Sequence, residues 1–168
     1  DKEDTGSNGP TGMNSYFLKD FMEDLADMAG CKVRHVAANS HCFSADVNAA
    51  FDPAYGEVHE RRNASYINYG VVVTKYTGAR GKAGTNDATA EMMGFARRNL
   101  DEENVGWQTG ELGKVDQGGG GTVAMYVSQH NIDTVDLGVP VLSMHAPFEV
   151  VAKADVYMTY RAMRAFYK

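Results

Sequence analysis

Glu3 and Asp4 are adjacent carboxylates followed by Gly6, a spacing that lets one ligate a metal while its neighbour faces a water on that metal. The same pair also suits a solvated surface turn, where acidic residues ordinarily sit. Asp46 follows the apolar run Cys42 to Ala45, and a carboxylate leaving a buried strand carries a desolvation cost unless something pairs with it. Capping the next turn is the alternative. His145 stands between Met144 and Ala146, just after the apolar stretch Val139 to Leu142 and before Pro147. A neutral imidazole there suits either Zn²⁺ coordination or a core hydrogen bond to a carbonyl. His35, His41, His59 and His130 lie in polar or helix-terminal settings and read as solvated or dipole-stabilised.

Two further stretches suggest binding. Gly78-Ala79-Arg80-Gly81-Lys82 is glycine-rich and basic, but it lacks the four-residue gap between glycines and the Ser or Thr after Lys that a P-loop requires. Gly118 to Gly121 open a predicted helix, where backbone N–H groups could receive an anion or a substrate oxygen, or simply form a flexible turn. Together these stretches define an alternative reading, a phosphate- or nucleotide-binding α/β module. A third is a structural or assembly segment of a larger protein.

These residues need a scaffold, and the spacing of apolar residues supplies one. Leu18, Phe21, Met22, Leu25, Met28 and Ala29 predict a helix over 13–29, with Gly30 placed to end it in the left-handed region. Cys42 to Ala45 reads as a strand, and charged, loop-like sequence follows to Asn68. Val71 to Val73 read as an interior strand covered on both faces. Thr85 or Asn86 is placed to cap a helix carrying Ala88, Met92, Met93, Ala96 and Leu100. Val105 to Thr109 and Thr134 to Leu137 read as strands, with a helix over 122–127 between them. A last helix, led by Pro147 in its first turn, is predicted to run to Phe166. The alternation argues for an α/β sandwich with helices on both sheet faces. Ligands of such folds gather at strand ends, which points to Asp46, Lys75, Gly110 and His145.

Composition narrows the classes. The chain has 168 residues, 16 Lys+Arg against 22 Asp+Glu, and a net charge of −6, which speaks against nucleic-acid binding. With 43% hydrophobic residues and no apolar run near the roughly 18 residues of a bilayer span, it reads as a soluble domain of one core. Cys31 and Cys42 form neither a CxxC motif nor a disulfide framework; they read as buried thiols of a cytoplasmic protein. The absence of an initiator Met and the position of Glu3 and Asp4 suggest a segment of a longer polypeptide.

Three phrases of this sequence resemble the aspartyl aminopeptidase and aminopeptidase I family of zinc exopeptidases. They are Asp1-Lys2-Glu3-Asp4-Thr5-Gly6-Ser7, Ser44-Ala45-Asp46-Val47-Asn48-Ala49-Ala50 and Ser143-Met144-His145-Ala146-Pro147-Phe148-Glu149. Tyr66 to Tyr76 and Gly110 to Thr122 resemble its bacterial branch. The resemblance implies a three-layer α/β/α sandwich with a mixed sheet, incomplete in this chain, with residues 1–168 forming the C-terminal portion of the catalytic domain. It implies a cytoplasmic metallo-aminopeptidase that hydrolyses the N-terminal peptide bond of peptides through a metal-activated water. Glu3 would be the general base, and Asp4, Asp46 and His145 the metal ligands. Asp4 departs from the Glu more usual at its position, so a shorter side chain must reach the ion. Lys75 resembles a lysine linked to recognition of an acidic side chain, and Gly121 and Thr122 would hold the substrate backbone. The implied cofactor is Zn²⁺, two per complete site, with Co²⁺ or Mn²⁺ as substitutes, and the implied assembly is a homo-dodecamer. The family's early His and metal-bridging Asp have no counterpart here, so the segment alone is expected to be inactive.

Overall fold

The computed structural model describes residues 6–78, 80 and 83–168. Four strands form a mixed sheet in the order β1-β5-β3-β4: β1 (His41–Ser44), β3 (Val71–Thr74), β4 (Trp107–Thr109) and β5 (Asp133–Gly138). β1 runs parallel to β5, β5 antiparallel to β3, and β3 parallel to β4. Val71, Val72 and Val73 are all buried, because β3 lies inside the sheet with both faces covered; its sequence therefore shows no polar alternation.

Period-two alternation divides the sheet's faces. Phe43, Val71, Val73, Val135 and Leu137 point to one side, against α3 (Ala90–Glu102) and α5 (Lys153–Phe166). α3 buries Met92, Ala96 and Leu100 at four-residue spacing, and Thr89 Oγ1 accepts from Met92 N at 3.0 Å. That cap contributes about 1 kcal/mol. Cys42 faces the other side, where Ala37 of α2 (Val33–Ala38), Val127 of α4 (Ala124–Ser128) and Met22 of α1 (Phe17–Met28) pack. Helices on both faces give the three layers expected.

A smaller sheet continues the first. β2 (Asn48–Ala49) pairs in parallel with β6 (Pro140–Leu142), and β6 pairs antiparallel with β7 (Val150–Val151). The chain thus passes from one sheet to the other twice side by side, between β1 and β2 and between β5 and β6.

Several boundaries differ from expectation. The first helix begins at Phe17 rather than Met13, since residues 7–15 are tied into turns by Asn14 N donating to Ser7 O and Ser15 N to Gly12 O. It ends at Gly30, with φ of +66°, as expected. Neither Thr85 nor Asn86 caps α3: Thr85 Oγ1 donates to Asn86 O, while Asn86 Nδ2 donates to Thr134 O and ties this loop to β5. The final helix starts at Lys153, not at Pro147, because Val150 and Val151 are held by β6. A 3-10 helix (Pro53–Val58), introduced by Asp52 Oδ1 accepting from Ala54 N, interrupts the stretch read as loop. Cys31 is exposed and Cys42 half-buried, which corrects the reading of both as buried thiols.

Candidate metal and substrate cavity

At the strand ends, where the chain crosses between sheets, an open cavity of about 1030 Å³ is lined by Asp46, His59, His145, Gly118–Thr122 and Ser7, among others. Asp46 occupies the crossing between β1 and β2. Its Oδ1 accepts from Val47 N at 2.8 Å, and its own N–H donates to Ser44 O at 3.0 Å. The neighbouring crossing carries Gly138, and a β-carbon there would collide with the Asp46 carbonyl. Only a residue without a side chain lets the two crossings lie together.

His145 follows β6 in a tight turn. Ser143 and His145 both have positive φ, +57° and +65°, and Ala146 N donates to Ser143 O. Such a conformation is costly for non-glycine residues and concentrates at functional sites. Glu149 Oε1 accepts from His145 N at 2.6 Å and braces the turn. Asp46 and His145, distant in sequence, thus border one cavity. Glu3 and Asp4 lie outside the described residues. Among the described residues no three His, Cys, Asp or Glu side chains gather to hold a metal. A carboxylate oxygen and an imidazole nitrogen are donor types that fit zinc chemistry, and two side chains are fewer than the three or four protein ligands zinc takes.

Thr122 is buried and lines the cavity with Gly121, but Lys75 does not line it. The Lys75 ammonium is engaged in an ion pair with Asp87. The helix expected from Thr122 starts only at Ala124 and spans five residues, so the glycine run is not a helix-terminal anion site. Instead its carbonyls are used: Gly78 N donates to Gly120 O at 2.7 Å and Arg80 N to Gly118 O at 3.1 Å. Both of these loop amides are therefore spent within the chain.

One residue lining the cavity and one behind its wall escaped the sequence reading. His59, expected in solvent because of its charged neighbours, is only 9% exposed and packs its ring 5.4 Å from that of Phe51. Burial holds its imidazole below the ordinary range against the opposing pull of Asp52 and so favours the neutral form. Asp136, in the centre of β5, is 4% exposed. Burial raises its pKa, the adjacent Ser44 hydroxyl and the Thr122 hydrogen bond lower it, and Asp46 raises it further; the result is pushed up to about 6. An acid inside the apolar run Thr134 to Leu137 was the available signal, by the same logic that singled out Asp46.

The family model of the aminopeptidase I zinc metalloproteases, M18, matches residues 1–167. The chain belongs to the M18 family. A probable M18 family aminopeptidase 1 of Clostridium acetobutylicum is 48% identical over 99% of this chain and 37% of that protein. The crystal structure of the M18 aminopeptidase of Thermotoga maritima superposes with a TM-score of 0.92 at 45% identity, covering 98% of this chain and 38% of that one. The S. cerevisiae mApe1 dodecamer shares the fold, with a TM-score of 0.80 at 20% identity over 98% of this chain and 36% of that one. The chain thus spans little more than a third of the length of the M18 relatives it matches. The match to the Thermotoga maritima structure bears out the mixed-sheet α/β architecture.

Proposed function

We propose that this chain is the C-terminal portion of the catalytic domain of a cytoplasmic M18 zinc aminopeptidase that removes the N-terminal residue of peptides. The observation that carries this reading is the shared cavity of Asp46 and His145, reached from two different strands. Asp4, Asp46 and His145 would hold zinc, two ions per complete site, with the remaining ligands supplied from outside this chain. Two ions need about six protein contacts, so three ligand positions make part of a site and leave the chain inactive alone. Zinc, when bound, supplies Lewis acidity toward the scissile carbonyl and toward water.

The chain's own residues do the rest. Glu3 takes a proton from the attacking water and returns it to the leaving amine. Asp46 and His145 present their donor atoms from a braced crossing and a braced turn, so that little ordering remains when the ion binds. Gly118–Thr122 form a wall with few side chains, close enough for a peptide main chain to approach, and Thr122 and Gly121 hold the substrate backbone. His59, packed on Phe51, lines the same cavity. Free thiols at Cys31 and Cys42 fit a reducing compartment. The dodecameric yeast relative supports a homo-oligomer for the complete protein.

The test uses the full-length enzyme that contains this chain, assayed on aminoacyl-p-nitroanilides with zinc measured by mass spectrometry. Hydrolysis that is lost on chelation and restored by zinc is expected. Asp46→Asn and His145→Ala should lose bound zinc, whereas Glu3→Gln should keep it and lose about 10²–10⁴ in kcat. A zinc-loaded enzyme without hydrolysis, or unchanged zinc content in both ligand variants, defeats the reading.

A further inference from the structure

The mechanism above uses Asp46, His145 and the glycine wall, yet leaves unexplained a carboxylate buried in the middle of the main sheet. Asp136 sits on β5 opposite Ser44 of β1 and Thr74 of β3. Burying an acid at the centre of a sheet is costly. Its Oδ2 accepts from Thr122 Oγ1 at 2.9 Å. Ser44 lies beside it and favours the charged form, but neither Ser44 Oγ nor Asp136 Oδ1 completes a hydrogen bond of normal geometry.

The hydrogen bond has a direction. An ionised carboxylate accepts only, so the Thr122 hydroxyl must donate to it. Thr77 Oγ1, 3.4 Å from Thr122 Oγ1, must then donate to Thr122. The chain Thr77 to Thr122 to Asp136 links the loop at Gly78, the end of the glycine run and the central strand. Four consecutive glycines have no side chains to lock their conformation, and their freedom is the highest of any residue. Gly78 and Arg80 hold the run through the carbonyls of Gly120 and Gly118, and Thr122 is the first residue after it with a side chain to anchor.

We infer that Asp136 is a positioning residue: through Thr122 it fixes the glycine wall of the cavity in the conformation that receives the substrate main chain. This rests on the aminopeptidase reading of the cavity. Asp136 touches neither substrate nor ion in this role, and its effect falls on substrate binding rather than on the chemical step.

The full-length, zinc-loaded enzyme provides the test, through a double-mutant cycle of Thr122→Val and Asp136→Leu with an aminoacyl-p-nitroanilide. Each single substitution should raise KM by about tenfold, the size of one lost hydrogen bond to a charged acceptor, with kcat and zinc content close to wild type. The double variant should be no worse than the poorer single one, because both remove the same link. Asp136→Asn, which still accepts from Thr122, should stay within about threefold of wild type in KM. Should Asp136→Leu fail to fold, Thr122→Val and Asp136→Asn decide. An unchanged KM for Thr122→Val, additive losses in the cycle, or a loss in Asp136→Asn equal to that in Asp136→Leu overturns the inference. A wild-type enzyme without peptidase activity overturns the underlying reading and this inference with it, whereas wild-type activity with an additive cycle overturns this inference alone.

Discussion

The carbonyl of Asp46 lies where a β-carbon on Gly138 would stand. Two adjacent strand pairs cross between sheets at this point, and Asn48 N donates to Val139 O at 2.9 Å just beyond it. A side chain on residue 138 must therefore displace the Asp46 backbone. Gly138→Ala is expected to cost roughly 1–3 kcal/mol of stability by overpacking. In the full-length enzyme it should also weaken zinc binding by about 10–100-fold, as loss of support around a ligand does. Competition with a chromogenic chelator measures the latter, and zinc affinity equal to wild type would show that Gly138 does not support Asp46.

Asp136 makes stability depend on pH in an unusual direction. Its carboxyl is pushed from the ordinary 3.8 up to about 6 in the folded protein, chiefly by burial. The folded state then holds a proton that the unfolded chain releases, so the contribution is complete below about pH 4 and is lost as pH rises through about 6. A cation on Asp46 would oppose the shift, both by offsetting the Asp46 charge and through its own positive charge, so the melts are made with a chelator present. The size is roughly 3 kcal/mol. Asp136→Asn should therefore be more stable than wild type at pH 7, with the difference closing toward pH 4. Urea melts of both proteins at four pH values check this; a constant difference would show that Asp136 titrates normally.

Asp155, in the first turn of α5, is 1% exposed and accepts from Asn68 N at 2.7 Å and Gly70 N at 2.8 Å. It thereby fixes the loop that enters β3. Asp155→Ala leaves both N–H groups without an acceptor and should destabilise by roughly 2–4 kcal/mol. Asp155→Asn keeps one acceptor oxygen and should lose less. Calorimetric melting of the three proteins tests the order, and equal losses for Ala and Asn would refute it.

Lys75 faces Asp87 at the surface, and exposed pairs of this kind contribute little. Lys75→Ala should change stability by no more than about 0.5 kcal/mol. Because Lys75 does not line the cavity, the ratio of kcat/KM for glutamyl and leucyl substrates of the full-length enzyme should shift by less than about threefold. A selective tenfold loss on the glutamyl substrate would instead give Lys75 the recognition role implied by family resemblance.

Local patterns in the sequence carried much of the frame. The four-residue recurrence of Met92, Ala96 and Leu100 marks a helix that must bury one face, and the unbroken Val71–Val73 run marks a strand covered twice; both are properties of neighbours along the chain. Asp46 was legible as a costly acid at a strand end, and the order of the motifs around Glu3, Asp46 and His145 was enough to suggest the family. Non-local pairing was not legible. Val150 and Val151 look like the beginning of the last helix until β6 takes them as a strand, and His59 looks solvated until Phe51 covers it. That Asp46 and His145 border one cavity, that Gly138 must be bare to permit it, and that Asp136 ties Thr122 to the central strand were decided by tertiary structure. Each depends on which distant backbone comes within a few ångströms, and spacing along the chain alone does not specify that.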